Sequence, residues 1–208
     1  MKDNGTPRTG RPPTTSSADI ATVALELFLE QGYEATTLSE IARRAGIGRS
    51  TLFRHVDSKG DIVWHGREAA EATFRESLSA ADVGPEWRSE VVRCLVASLR
   101  FPDDDLHVVR LRMALIDATP ALRAHLHVTS RPTVALLADF IARSTGSPGG
   151  ALEPEVLAST AWWVAIEALF WWARGDGDSP EAVVRRALAV AGFADRAHRP
   201  PGETSPVS

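Results

Sequence analysis

Apolar residues recur every three or four positions along most of this chain, the spacing that puts them on one face of an α-helix. In residues 17–31, Ile20, Ala24, Leu27 and Phe28 share such a face. Gly32 then supplies a residue able to turn left-handed and stop the helix. Thr37-Leu-Ser-Glu40 opens a second helix as a capping box, with Leu38, Ile41, Ala42 and Ala45 inward and Gly46 as its stop. Gly46-Ile47-Gly48 reads as a short turn with Ile47 as apolar plug, and a short helix follows over 49–56. Ser58 caps a fourth helix, expected to run unbroken to about residue 80. No stretch alternates with the period of a strand, so the fold class is all-α.

The same period continues over 86–101, 104–117, 120–144, 154–174 and 179–193. Pro- and Gly-containing breaks separate these segments, and Pro132 either kinks 120–144 or splits it. Residues 156–173 carry one charge, Glu167, and four tryptophans: Trp162, Trp163, Trp171 and Trp172. A membrane span needs about 20 apolar residues and disfavours a central carboxylate. The better reading is a helix buried on nearly all sides. The expected organisation is a flexible arm (1–16), a reading domain (17–64), a larger helical domain (65–194) and a flexible tail (195–208).

Composition narrows this picture. At 208 residues and 44% hydrophobic content, the chain can bury substantial cores. A single cysteine, Cys94, excludes an internal disulfide and a multi-cysteine metal site. The first thirty residues lack a signal-peptide apolar run, so a cytoplasmic location is expected. Net charge is −4, yet residues 43–59 hold five cations (Arg43, Arg44, Arg49, Arg54, Lys59) against one acid, Asp57. From Asp61 onward there are 15 basic and 20 acidic residues, so the cationic surface is concentrated near the N-terminus. That is where DNA phosphates would be met.

Two helices joined by a tight turn, with small residues at their crossing, make a helix-turn-helix. Its second helix must stand proud enough to enter a major groove about 12 Å wide. Ala42 and Ala45 allow the close crossing. The short helix then presents Arg49, Ser50, Thr51, Phe53, Arg54 and His55, with Leu52 and Val56 inward. The run from Thr37 through Val56, followed by Asp57-Ser58-Lys59, resembles the DNA-binding segment of the tetracycline-repressor (TetR) family, and the likeness spans about residues 17–64.

That resemblance implies an all-helical homodimer, with an N-terminal three-helix reader and a larger ligand-binding and dimerising domain. It implies phosphate contacts for Thr37, His55 and Lys59, and positions facing base edges for Arg49, Ser50 and Thr51. Arg49 and Arg54 suit bidentate bonding to guanine. Arg8 and Arg11 in the arm would reach the minor groove or add phosphate affinity. Phe53 stands where the family usually has a tyrosine, so it cannot make that hydroxyl's phosphate bond. Gly48, Val56 and Gly60 also depart from the common pattern.

For the larger domain, residues 154–174 and 179–193 would build an intersubunit bundle, with Leu169, Phe170, Trp171, Val183 and Leu188 at the interface. An effector cavity would draw on Leu95, Leu99, Leu111, Met113, Leu115, Ile116, Leu137, Phe140, Ile141, Trp162, Trp163 and Ile166. Arg110, Arg112, His107 and His125 would supply polar specificity there or face solvent. Residues 111–126 are similar to the mycofactocin-regulator type of C-terminal domain, which suggests a bulky hydrophobic ligand such as an acyl-CoA. The expected partners are a double-stranded DNA operator, a small hydrophobic effector and a second copy of the chain. The alternative is a small-molecule sensor or carrier without DNA binding.

An enzyme, a cofactor or a metal site finds no support. His125 and His127 lie two apart and point to different sides of a helix. Asp103-Asp104-Asp105 lacks the spaced ligands and glycine of a calcium loop.

Overall fold

The computed structural model describes residues 17–99, 106–175 and 179–193, and they are helical with no strand among them. The expectations for the arm with Arg8 and Arg11, the Asp103–Asp105 run and the C-terminal tail fall outside the described residues. The chain divides into two compact units after Ile62, two residues ahead of the expected boundary.

The first unit holds α1 (Ser17–Gln31), α2 (Leu38–Arg44), α3 (Arg49–Leu52) and most of α4 (Lys59–Val63). Ile20, Ala24, Leu25, Leu27 and Phe28 of α1 are buried, as are Ile41, Ala42 and Leu52, and α2 packs on both α1 and α3. Thr37 caps α2 as its sequence predicts. Its hydroxyl accepts from the Glu40 amide at 3.3 Å, and its own amide donates to Glu40 Oε2 at 2.7 Å. At the other end, Gly46 takes a φ of 67°. The Ile47 amide can then reach back to the Ala42 carbonyl at 3.0 Å and the Gly46 amide to Arg43 at 3.2 Å. These paired bonds satisfy carbonyls that the end of a helix leaves open. The helix expected over 49–56 is α-helical only to Leu52. It tightens into i→i+3 bonds, from Arg54 to Thr51 and from His55 to Leu52.

The second unit contains α5 (Arg67–Ser79), α6 (Trp87–Ala97), α7 (Leu106–Ala118), α8 (Pro120–Thr129), α9 (Arg131–Thr145), α10 (Leu152–Ala173) and α11 (Pro180–Leu188). A single π-turn over Ala189–Phe193 follows α11. α10 is the hub and packs on α7, α9 and α11. Ala158, Ala161, Ala165 and Ala168 recur at helical spacing and are all buried, which brings neighbouring helices close. α10 is long and apolar enough to cross a membrane by composition, but half of its most apolar stretch is buried among these helices. Cys94 is buried in the same core, and burial pushes its thiol up to about 11, which keeps it protonated and unreactive at neutral pH.

Two expected helices are broken. Residues 58–80 are not continuous, because Gly66 adopts a φ of 78° between α4 and α5. A left-handed residue cannot propagate an α-helix. Residues 120–144 split at Ser130, with Pro132 in the first turn of α9, where its missing amide costs nothing.

The caps carry a pH signature. Glu40 has its pKa lowered, chiefly by the Thr37 backbone amide, and Asp61 is lowered chiefly by the Ser58 amide. Folded carboxyls with depressed pKa values stabilise above the ordinary carboxylate range, and this is lost as pH falls through their lowered values. In thermal melts of the full chain at neutral pH, Glu40→Gln should melt lower than wild type. It should also lose less on acidification below about pH 4. Equal acid losses would remove Glu40 from that role.

Candidate nucleic-acid interface and effector cavity

α3 stands on a single apolar foot. Leu52 is fully buried, whereas Arg49, Ser50, Phe53, Arg54 and His55 are exposed and Thr51 is half-buried. The predicted reading residues thus share one outward surface, joined on α2 by exposed Arg43 and Arg44. Arg54 Nη2 lies 3.4 Å from Thr51 Oγ1, and His55 Nδ1 lies 3.1 Å from Ser17 Oγ, which ties α3's end to α1's start. Gly48 precedes α3 in extended backbone and offers no side-chain cap.

Thr37 and Lys59, the other two expected phosphate contacts besides His55, are engaged as well. The Thr37 hydroxyl donates to Glu40 Oε2 at 2.8 Å, within the cap. The Lys59 ammonium donates to the Tyr33 carbonyl at 2.6 Å and the Glu34 carbonyl at 3.3 Å, and sits 4.6 Å from the Tyr33 ring centre. Lys59 therefore pins the turn between α1 and α2. Sequence reasoning missed that role, since its partners are backbone atoms 25 and 26 residues away.

The second unit holds a half-open cavity of about 120 Å³. Leu99, Met113, Ile116, Trp162 and Ile166 line it, as the sequence reading expected of an effector site. Leu95, Leu115, Leu137, Phe140 and Ile141 do not line it; they are buried in the helical core. Leu111 and Trp163 also lie off its wall, and Trp163 stacks on His127 with ring centres 4.9 Å apart. Of the polar candidates, Arg112 is in the wall and only 4% exposed. Arg110 instead donates to the Trp172 carbonyl at 2.6 Å, near the end of α10, while His107 and His125 are exposed.

The wall also includes residues that sequence reasoning did not assign: Trp64, Arg67, Phe74, Leu126, Ser130 and Thr133. Arg67 bonds Glu71 at 2.7 Å and the Thr129 carbonyl at 2.9 Å, holding the end of α8. Trp64 packs on His125 at 4.9 Å between ring centres.

The interface expectations need correction. Leu169, Phe170, Val183 and Leu188 are buried within their own unit, and Leu169 lines the cavity. Only Trp171, 57% exposed, faces outward. Beside it lie Val164, Glu167, Ala187 and Val190, the last 87% exposed.

Residues 20–63 match the family of bacterial regulatory proteins, tetR family, and residues 87–193 match the MftR C-terminal domain. The chain belongs to the TetR family. Among its relatives is the Mycobacterium tuberculosis protein that carries the name mycofactocin biosynthesis transcriptional regulator MftR. It is 31% identical over 89% of this chain and 93% of its own length. The HTH-type transcriptional regulator TcmR of Streptomyces glaucescens is 32% identical over 59% of this chain and 57% of its own length. Among solved structures, Mycobacterium smegmatis AmtR shares the fold at a TM-score of 0.57. It has 20% identity, with 90% of this chain and 91% of that one covered. As a TetR-family member, the chain is a DNA-binding regulator of transcription, in a family of regulators rather than enzymes. Among the described residues no cluster of three or more metal-binding side chains occurs.

Lys59 provides a direct check of the reading unit. Lys59→Ala should speed hydrogen exchange in the turn at residues 32–36 about tenfold, as loss of a charge-assisted bond predicts. Unchanged exchange, with the salt slope of DNA binding reduced by about one phosphate, would make Lys59 a phosphate contact instead.

Proposed function

We propose that this TetR-family regulator is a repressor, released from a near-palindromic operator by a small molecule bound in the second unit. The observation that carries the reading is the outward face of α3, where Arg49, Ser50 and Arg54 are exposed above buried Leu52. Arg49 and Arg54 read guanines by paired bonds to O6 and N7, while Ser50 and Thr51 meet neighbouring base edges. His55 and Arg43 contact phosphate. Phe53, 45% exposed, offers the duplex an apolar surface without a hydroxyl.

The cavity is the effector site. Val63, Trp64, His65 and Arg67 contribute to its wall. In the chain Val63 ends α4 and the other three follow it, so this stretch connects the two units. A ligand that reshapes this segment changes how the reading units are presented. By linkage it acts only through its preference for one conformer, and about 1–3 kcal/mol of coupling is typical. The protein works in the cytoplasm.

A second copy completes the reader, because two half-sites about 34 Å apart need two recognition helices. The dimer face runs along α10, α11 and the π-turn, with exposed Trp171 and Val190 beside half-buried Val164 and Ala187. Large exposed apolar side chains set close together mark a protein interface.

Trp171→Glu should give monomers in sedimentation velocity, with helicity preserved. It should also weaken binding to duplexes recovered from a random pool by wild-type protein. A dimeric Trp171→Glu would move the interface elsewhere.

A further inference from the structure

We infer that the cavity takes a largely apolar ligand carrying a carbonyl-type oxygen, held by hydrogen bonds from Ser130 and Trp162. This rests on the cavity being the effector site. Both residues stand in its mostly apolar wall. Ser130, where α8 passes into α9, is 1% exposed, and its hydroxyl has no hydrogen-bond partner within the protein. Trp162 on α10 is half-buried; its indole N–H is buried and likewise has none. Two helices thus each bring one unanswered polar atom to a single wall. Buried polar groups are ordinarily satisfied, so this pair points to a ligand that supplies the partner.

The chemistry of the two groups fixes the partner's polarity. Other polar groups of the wall are in use. Arg67 donates to Glu71 at 2.7 Å and to the Thr129 carbonyl at 2.9 Å, Ser98 donates to the Leu95 carbonyl at 2.6 Å, and Arg112 has an interaction of its own. An indole N–H only donates, whereas a serine hydroxyl can donate or accept. An acceptor is therefore the one feature that answers both. Both groups are neutral, and a carbonyl loses less on leaving water than an ion does.

The lining sets the body. The cavity is half-open, so its volume places no limit of one ring on the ligand. Trp64, Phe74 and Trp162 stand in the wall, and Phe74 meets Trp162 edge-on with ring centres 6.2 Å apart. Aromatic rings pack on one another in such edge-on or offset arrangements, so a flat ring system suits this wall. The open side lets a longer substituent lead outward.

The test uses the full chain and two probes of the same shape, 2-acetylnaphthalene and 2-isopropenylnaphthalene, in which a methylene replaces the carbonyl oxygen. Equilibrium dialysis gives the affinities. From wild type to the double variant Trp162→Phe with Ser130→Ala, the ketone should weaken about three- to tenfold and the hydrocarbon should not. An equal change in both probes, or no binding of the ketone to wild type, overturns the proposal. So does tighter binding of 2-naphthoate than of the ketone. A second readout needs no ligand. Ser130→Ala should melt no lower than wild type, because its hydroxyl has no bond in the protein to lose. A clearly lower melting temperature would give that hydroxyl a partner and overturn its role. DNA release separates the two layers. A ketone bound through these donors that leaves affinity for selected duplexes unchanged keeps the ligand class and removes the effector reading. Release by both probes alike, with no ketone-specific loss in the double variant, keeps the effector site and removes the ligand class.

Discussion

Leu52 is the contact on which the reading surface depends. A helix as short as α3, four residues, cannot sustain itself in water, since fixing its first turn costs more than one hydrogen bond returns. What holds α3 is the burial of Leu52 where α3 packs on α2, worth about 1.5–3 kcal/mol for a leucine side chain. The residues on either side are then free to be polar and to face outward. Arg49, Ser50 and Arg54 owe their common direction to that one apolar foot. The Thr37–Glu40 cap, the Gly46 turn and the Lys59 bonds fix the surface beneath it, so the exposed side chains sit on a rigid support.

The second unit is governed by a different constraint. α10 is apolar almost all round, so several neighbours must cover it at once. Its alanines let α9 and α11 approach closely, and the larger side chains fill the space beyond. The fit is incomplete between Phe74, Met113 and Trp162, where the cavity lies. It is also incomplete on the outer strip at Trp171 and Val190. The first gap suits a small molecule and the second a second subunit. Both sites are thus consequences of the same over-apolar helix.

Local chemistry made much of this legible in advance. A capping box, a left-handed glycine and a turn plug act within a few residues, so Thr37, Glu40 and Gly46 announce the ends of α2 directly. Gly66 did not announce the break it causes. A lone glycine costs a helix only about 1 kcal/mol, and the apolar period runs on through Trp64. Tertiary choices were less legible. Leu95 and Leu99 share a helical period, yet one is core and the other cavity wall, because only the packing of other helices decides where space remains. The interface suffered likewise. A helix without a polar face gives no sign of which side meets its own unit, so buried Leu169 and Phe170 could not be told from exposed Trp171.

The most direct measurement is selection of duplexes from a random pool by wild-type protein and by Arg49→Ala at one salt concentration. Wild type is expected to enrich an inverted repeat with half-site centres about one helical turn apart. Arg49→Ala should lose preference at one position in each half-site while keeping nearly all of its affinity for random DNA. Enrichment of no repeat, or an Arg49→Ala pool identical to the wild-type pool, would contradict a reading surface built on α3.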